Sequence, residues 1–320
     1  MSGLASELIP AAPAVWQALL GIYALLIGAT AIVRRLDRSG SQAAGTGREL
    51  ALRVRSWWFI VTIFAVAMLL SPTTSAIFLA FVAYLALKEY FSLVPTRRID
   101  REVLLWVYLA IPLQFYWAHS GWYGMFIIFI PVWMFLLLPA VMVLRGVTDG
   151  FLRAIGTLSW GLMITVFTLS HLAFLLTRGD AVNPGAGGAG LLLFLVFATQ
   201  FNDVAQFVWG RTLGRRKVTP SVSPNKTWEG LIGGIATTTL LAALVGPWLT
   251  MMDAATSALA GAMVALAGFL GDVTISAVKR DLKVKDSGGL IPGHGGILDR
   301  VDSLTYAAPV FFHFVTYFYT

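Results

Sequence analysis

The chain has 320 residues, of which 58% are hydrophobic and 12% are charged, and its formal net charge is +7. A mean hydropathy of +0.77 excludes an ordinary soluble globular domain and places the chain among integral membrane proteins. The absence of cysteine excludes both a disulfide framework and a thiolate metal site.

Apolar stretches follow one another along the chain, each long enough to cross a hydrocarbon core of about 30 Å as a helix. They predict an all-α polytopic membrane protein with ten spans, near 13–33, 56–71, 73–91, 103–119, 121–144, 155–177, 188–209, 230–250, 254–278 and 303–320. Only SPTT separates the second span from the third, so nine helices are an alternative. No basic residue precedes the first stretch, so we expect a retained span and not a cleavable signal peptide.

The basic residues orient this bundle. If the loop 34–55 faces the cytoplasm, alternating spans place 22 of the 23 Lys and Arg residues on that side and only Arg178 on the other. The positive-inside rule describes this bias. We therefore expect an inner-membrane protein with both termini on the outer side and cytoplasmic loops at 210–230 and 279–303. The net positive charge then requires no nucleic-acid partner.

Polar chemistry is concentrated after residue 200, and this contrast divides the chain. Residues 1–185 are predicted to form six N-terminal spans with few internal charges. Residues 186–320 are predicted to form a C-terminal catalytic membrane region that carries both polar loops.

The predicted seventh span contains four polar side chains within seven residues: Gln200, Asn202, Asp203 and Gln206. Burying such groups in a bilayer without partners costs several kcal/mol each. Asp203 and Gln206 are three residues apart and share a helix face. An ionisable residue at membrane depth indicates a functional site. The structural alternatives are a polar clamp between helices, or an aspartate near the cytoplasmic end of the span that reaches water.

A basic loop, GRTLGRRKVTPSVSPNKTWEG, follows at 210–230. We expect Asn225, Thr227 or a neighbour to cap the next helix, whose free N-terminal N–H groups favour an anion. Lys226 is placed to contact a phosphate. Three other bases of the loop are expected to contact anionic lipid headgroups; they are Arg215, Arg216 and Lys217.

The stretch KRDLKVKDSGGLIPGHGGILDRVDS at 279–303 has nine charged residues among 25, whereas the whole chain is 12% charged. The helix that leads into it carries polar residues on one face: Asp272, Ser276 and Lys279. Asp299 and Asp302 open the last helix, three residues apart. Converging carboxylates suit Mg²⁺, a hard cation that also binds substrate phosphates.

The same stretch also has features that suit phosphate. PGHGG at 292–296 places three glycines around His294, and glycine lets backbone N–H groups approach an anion. Fixed positive charge comes from Lys279, Arg280, Lys285 and Arg300. Carboxylates, glycines and bases together indicate phosphoryl or nucleotidyl transfer. His294 taken alone is as well suited to holding a loop as to chemistry.

These residues resemble the signature of the phosphatidate cytidylyltransferases, also called CDP-diacylglycerol synthases. The matching run is Ser276, Lys279, Arg280, Lys285, Asp286, His294, Gly295, Gly296, Asp299, Arg300 and Asp302. SPNKTWEG at 223–230 is similar to the family's second motif, and ND at 202–203 to a third. The resemblance covers about residues 195–305, roughly a third of the chain.

The resemblance implies transfer of CMP from CTP to phosphatidic acid, with release of pyrophosphate, in phospholipid biosynthesis. It implies catalytic roles for Lys279, Arg280, His294, Asp299 and Arg300, with His294 orienting a phosphate and not acting as a base. It implies substrate or phosphate binding by Ser223, Asn225, Lys226, Thr227, Ser276, Lys285, Gly293, Gly295 and Gly296. It implies one or two Mg²⁺ ions, and a monovalent cation beside them, held by Asp203, Asp272, Asp299 and Asp302.

Two further expectations concern the lipid acceptor and assembly. Common bacterial members have Asp-x-x-Ala-Tyr in the seventh span, whereas this chain has DVAQFVWG, with Gln206 and Phe207. That departure resembles a divergent bacterial paralogue branch and leaves a different lipid phosphate open as the acceptor. The resemblance also implies a homodimer, and a small-residue helix face suits close packing between or within chains. This face comprises Gly261, Ala265, Gly268 and Asp272.

Other classes fit the sequence less well. A CDP-alcohol phosphotransferase would carry a D-G-x-x-A-R pattern, which this chain lacks. A transporter would show related halves with broken helices in matching places, but the first half has no counterpart of the glycine-rich loop. The complete set of charged residues argues against an inactive paralogue kept for assembly.

Overall fold

The computed structural model describes residues 12–38, 44–95, 101–146, 148–289 and 295–320, and these are mostly helical. The α-helices are α1 (Pro13–Arg38), α2 (Ala44–Leu70), α3 (Pro72–Leu93), α4 (Arg101–Ser120), α5 (Tyr123–Ile128), α6 (Phe135–Leu144), α7 (Phe151–Gly161), α8 (Thr168–Val182), α9 (Gly187–Leu213), α10 (Trp228–Leu249), α11 (Ala254–Asp281) and α12 (Leu298–Tyr319). A π-helical segment at Phe129–Met134 joins α5 to α6, and another at Leu162–Phe167 joins α7 to α8. The predicted all-α membrane class is confirmed.

The described residues thus form ten long helical columns, close to the ten predicted spans. Eight of them are long and apolar enough to cross a bilayer: α1, α2, α3, α5–α6, α7–α8, α9, α10 and α11. The other two columns are α4 and α12, and α12 opens with three charged residues. The exact number of membrane spans therefore stays a prediction.

The second and third helices are separate. Ser71 has an extended backbone, and its hydroxyl accepts a hydrogen bond from the backbone N–H of Thr74 at 3.0 Å. Pro72 occupies the first turn of α3, where its missing N–H costs nothing. An N-cap followed by proline begins a new helix, so α2 and α3 are two helices and not one.

The loop at 210–230 contains an antiparallel hairpin of β1 (Lys217–Thr219) and β2 (Ser223–Thr227). Thr227 ends β2 and is also the N-cap of α10, since its Oγ1 accepts from the backbone N–H of Gly230 at 3.1 Å. This confirms the predicted capping. The side chain of Glu229 accepts from the backbone N–H groups of Arg215 and Arg216 at 3.0 and 3.2 Å, which holds the basic segment against α10.

Helices α9 to α12 pack closely because small residues lie where the helices meet. A Cβ on Gly271 would collide with the backbone oxygen of Asp302, and a Cβ on Gly261 would collide with Ala242. The predicted small-residue face of α11 is therefore used at least in part within the chain, against α10. The homodimer stays a prediction.

The two halves of the chain share one apolar core. Helix α8 packs against α9 and α12 as well as α3 and α4. Several aromatic side chains are fully buried where these helices meet: Phe126, Phe174, Phe194, Phe311 and Phe312. The division near residue 185 stays a prediction about where the chemistry lies, and α3 is brought close to the C-terminal helices.

Candidate active site

Lys226 lies among acidic residues from three helices. Its Nζ is 2.7 Å from Oδ2 of Asp272 on α11 and 3.1 Å from Oε1 of Gln206 on α9. Burial by itself would lower the pKa of Lys226. The negative charges of Asp272, Asp203 and Asp302 outweigh burial, so that the pKa of Lys226 is raised above its ordinary value. Lys226 therefore carries a firmly held positive charge.

The carboxylates of this cluster face one another. Oδ2 of Asp203 accepts a hydrogen bond from the hydroxyl of Ser303 at 3.0 Å, while its Oδ1 is buried without a hydrogen-bond partner among the described residues. Oδ1 of Asp302 accepts from the backbone N–H of Ser303 at 2.8 Å. Asp302 interacts electrostatically with both Asp203 and Asp272. A buried carboxylate oxygen without a partner is costly, and a cation would relieve that cost.

The chemistry of this donor set fits Mg²⁺. Three carboxylates offer the oxygen ligands that a hard cation prefers, and Oδ1 of Asp203 is free to accept one. In the part of the chain that the structure describes, no three acidic or histidine side chains form a ready-made metal site. Lys226 supplies positive charge between the carboxylates instead. Asp203, Asp272 and Asp302 are thus the residues of this cluster that could hold a cation.

A second ion pair joins Lys279 and Asp299. The distance from Nζ to Oδ1 is 2.6 Å, and the two side chains are 12% and 6% exposed. Oδ2 of Asp299 accepts two backbone hydrogen bonds, from Ser287 at 2.8 Å and Gly296 at 3.1 Å. Both oxygens of Asp299 are therefore bound by protein donors, and this arrangement organises the loop. A role for Asp299 as a metal ligand stays a prediction.

Gly295 and Gly296, the signature glycines that the structure describes, lie where a side chain would collide with a nearby carboxylate. Gly295 has a φ of +77°, a left-handed conformation that favours glycine. A Cβ there would lie 2.7 Å from Oδ2 of Asp299. A Cβ on Gly296 would collide with the carboxylate of Glu89. Because the N–H of Gly296 already donates to Asp299, binding of phosphate by this backbone stays a prediction.

Gly293 and His294 lie outside the described residues, so the roles predicted for them stay predictions. Lys285 and Asn225 are exposed, and Ser223 is half-buried. The hydroxyl of Ser276 donates to Oδ1 of Asp272 at 3.3 Å, as their spacing on one helix face predicts.

The two predicted arginines take different positions. Nε of Arg280 donates to the backbone oxygen of Val222 at 3.1 Å, which ties the end of α11 to the β-hairpin. Arg300 interacts electrostatically with Asp203. Its Nε is buried and lacks a hydrogen-bond partner among the described residues. Arg300 therefore has a donor available for an oxyanion beside the carboxylate cluster.

The polar residues of α9 divide into two roles. Nδ2 of Asn202 donates to the backbone oxygen of Ala265 at 3.0 Å, and Thr238 donates to Oδ1 of Asn202 at 3.4 Å. Asn202 is thus a clamp between helices, the first of the structural alternatives for this stretch. Asp203 and Gln206 face the Lys226 cluster, and Nε2 of Gln206 is buried without a partner among the described residues.

Glu89, near the end of α3, was missed by the sequence interpretation. Oε1 accepts from the backbone N–H of Ile297 at 2.8 Å. Oε2 accepts from the backbone N–H of Leu298 at 2.8 Å and from the hydroxyl of Ser287 at 3.0 Å. The only signal in the sequence is a lone acidic residue at the end of an apolar span, and nothing there indicates its partners.

The chain is similar to known proteins over most of its length. A family model described as "Cytidylyltransferase family" matches residues 51–318. A protein of Escherichia coli K12, described as "Uncharacterized protein YnbB", is 43% identical over 306 residues, which cover 94% of this chain and 98% of that protein. The phosphatidate cytidylyltransferase of Haemophilus influenzae is 43% identical over 140 residues, covering 40% of this chain and 46% of that enzyme. The phosphatidate cytidylyltransferase of Mycobacterium bovis is 31% identical over 209 residues, covering 63% of this chain and 65% of that enzyme.

Proposed function

The chain belongs to the cytidylyltransferase family and is therefore a nucleotidyltransferase, and we propose that it transfers CMP from CTP to phosphatidic acid in the membrane. CDP-diacylglycerol and pyrophosphate would be the products, in phospholipid biosynthesis. The observation that carries this proposal is the cluster in which carboxylates from α9, α11 and α12 surround Lys226. Such a cluster suits a reaction between phosphates, because it combines cation ligands with a fixed positive charge.

The chemistry needs little beyond positioning and charge. A phosphate oxygen of the lipid attacks the α-phosphorus of CTP and forms a new P–O bond. The bond from that phosphorus to the bridging oxygen of the β-phosphate breaks, and pyrophosphate leaves. The attacking oxygen is already anionic near neutral pH, so no strong general base is required. Holding two anions together is the main difficulty, and fixed positive charges reduce it.

The chain supplies those charges from several elements. Lys226 and Arg300 stand beside the carboxylate cluster, and the buried Nε of Arg300 can donate to a phosphate oxygen. Lys279 is held in place by Asp299 at the C-terminal end of α11. Arg280 anchors the β-hairpin beside it. These residues bind and orient phosphates in our proposal.

We propose that Asp203, Asp272 and Asp302 hold one or two Mg²⁺ ions, with a monovalent cation as a further expectation. The support is the unpartnered Oδ1 of Asp203 and the mutual proximity of the three carboxylates. When bound, Mg²⁺ would neutralise charge on the transferring phosphates. Ser276 and Ser303 orient two of the carboxylates through their hydroxyl groups.

A second candidate is the same chemistry on a different lipid phosphate. Gln206 replaces the alanine that common family members have, and its amide enters the site itself, where Lys226 binds Oε1. Its Nε2 is buried and has no partner in the described part of the chain. A buried donor of this kind discriminates between acceptors that do and do not offer it an oxygen.

Purified protein incubated with labelled CTP, phosphatidic acid and Mg²⁺ is expected to yield labelled CDP-lipid and an equal amount of pyrophosphate. The matched controls are the same reaction with a chelator and the same reaction without lipid. Product formed only with another lipid phosphate would show that phosphatidic acid is not the acceptor, while still supporting CMP transfer to a lipid phosphate. Failure to form a CDP-lipid from any lipid phosphate would overturn the proposed function.

We also propose that the active-site loops face the cytoplasm, where CTP is found, and that both termini face outward. The support is the bias of Lys and Arg residues to one side. Because the chain has no cysteine, single cysteines report on sidedness directly. In intact cells an impermeant maleimide is expected to label Gly185→Cys, in the exposed turn before α9, and to spare Ser221→Cys, in the exposed hairpin. The opposite labelling pattern would contradict this topology.

A further inference from the structure

One carboxylate from α3 accepts hydrogen bonds from described residues on both sides of the segment 288–296, which contains the glycine-rich part of the signature. Before the segment, Ser287 donates its hydroxyl to Oε2 of Glu89 at 3.0 Å. After it, the backbone N–H groups of Ile297 and Leu298 donate to Oε1 and Oε2 at 2.8 Å each. Glu89 therefore accepts three hydrogen bonds, from Ser287 on one side of the segment and from Ile297 and Leu298 on the other.

Glu89 also caps the N-terminus of α12, which has no side-chain cap from its own N-cap residue. The residue before α12, Ile297, makes no side-chain capping hydrogen bond. A helix N-terminus leaves backbone N–H groups unsatisfied and favours a negative charge. The carboxylate of Glu89 meets both needs from a different helix. The N–H groups of Ile297 and Leu298 are consequently occupied by protein.

Asp299 works beside Glu89 as a second clamp. The N–H of Ser287 donates to Asp299, while the hydroxyl of Ser287 donates to Glu89, so this one serine joins both carboxylates. The neighbouring glycines fit around them. A Cβ on Gly288 would lie 3.1 Å from Oε1 of Glu89, and a Cβ on Gly296 would collide with Oε2. The close approach of the loop to α3 thus depends on these two glycines.

The start of α12 carries three of the charged groups of the site: Asp299, Arg300 and Asp302. A contact that holds the start of α12 in place therefore also sets the positions of these three charged groups relative to α9 and α11. We propose that Glu89 is a positioning residue for the transfer reaction, which sets the placement of the first turn of α12 without touching either substrate. This proposal rests on the proposed function, and it gives the N-terminal half a direct part in the site.

The test compares Glu89→Gln, Ser287→Ala and the double variant, with Glu102→Gln as the matched control. Glutamine keeps the size of Glu89 but turns an –NH₂ group toward backbone donors, so the three hydrogen bonds cannot all survive. Glu102 is a carboxylate of the same half that pairs with Arg145, and it is 61% exposed. Glu102→Gln is expected to behave like the wild-type protein.

We expect Glu89→Gln to lower kcat for CMP transfer by about 10- to 100-fold per folded molecule, the range found when groups that orient ligands are removed. The KM for CTP is expected to change less than kcat, because the charged groups remain but stand in the wrong place. The double variant is expected to be little worse than Glu89→Gln, since both changes act through one contact. A kcat at the wild-type level, or fully additive effects, would overturn the proposal.

Hydrogen exchange in protein without substrate separates this inference from the proposed function. Peptides that cover the start of α12 are expected to exchange at least about tenfold faster in Glu89→Gln than in the wild-type protein or in Glu102→Gln. Unchanged exchange there would overturn the clamp whatever the activity. A wild-type protein that forms no CDP-lipid would overturn the proposed function instead, and the positioning role in that reaction with it.

Discussion

Replacing Asp272 by Asn is expected to lower kcat for CMP transfer by about 10²- to 10³-fold, the range for loss of one electrostatic group at a reaction centre. Asp272 is the carboxylate that Lys226 contacts at 2.7 Å and that Ser276 contacts at 3.3 Å. Asparagine keeps the shape and one acceptor oxygen but removes the negative charge. The cluster then holds a cation less strongly, and Lys226 loses its ion pair.

Transfer rates and thermal unfolding should both be measured over a range of Mg²⁺ concentrations. We expect Mg²⁺ to raise the unfolding midpoint of the wild-type protein, because a ligand that binds only the folded state stabilises it. This increase should be much smaller in Asp272→Asn. The control is Asp281→Asn at the exposed end of the same helix, which should stay within about twofold of wild-type activity. Near-normal turnover of Asp272→Asn with unchanged Mg²⁺ dependence would remove Asp272 from the proposed metal site.

The membrane architecture was predictable because the bilayer requires it. A spanning helix must be apolar over about 20 residues, and that requirement is visible in the sequence. The helices extend beyond the predicted spans at polar ends, as α11 does to Asp281. The π-helical segments were not predicted, since one extra residue in a turn leaves hydropathy unchanged. The short hairpin was predicted only as a loop, because its three- and five-residue strands show no alternating pattern.

Within the site, contacts along one helix were predictable and contacts between helices were not. Asp272 and Ser276 are four residues apart, and helix geometry alone brings them together. Which lysine pairs with which aspartate depends on how α11 and α12 pack, and two lysines with several aspartates allow many pairings. Glu89 is 208 residues from Ile297 in the sequence, so only the packing of α3 against α12 reveals that contact.

The two lysine–aspartate pairs have different surroundings, and this difference separates chemistry from loop structure. Lys226 lies among carboxylates from three helices. One of these carboxylates, that of Asp203, has an oxygen without a hydrogen-bond partner among the described residues. Lys279 forms its ion pair with a single aspartate, Asp299, whose other oxygen is occupied by backbone donors. The first pair is the better place for a cation. In the second pair, Asp299 holds Lys279 in a position from which it can contact a phosphate.

Replacing Lys279 by Met is accordingly expected to lower kcat/KM for CTP by about 10²- to 10³-fold with a moderate loss of stability. Breaking a buried pair by removing one partner typically costs about 3–5 kcal/mol, because the remaining charge is left uncompensated. Here Asp299 keeps its two backbone donors, so we expect the cost to lie at or below the low end of that range. The reciprocal change, Asp299→Asn, leaves Lys279 unpaired and also weakens the two hydrogen bonds that order the loop.

Thermal unfolding of both variants in the same detergent, together with transfer rates per folded molecule, tests this difference. We expect both to lose activity and Asp299→Asn to unfold at the lower temperature, because only that change loosens the loop. Lys283→Met is the control for loss of a lysine, since Lys283 is exposed just beyond α11. Wild-type kcat/KM in Lys279→Met would remove Lys279 from phosphate binding. If Asp299→Asn proved the more stable variant, Asp299 would not be what organises the loop, and its predicted role as a metal ligand would become the better explanation of its place in the signature.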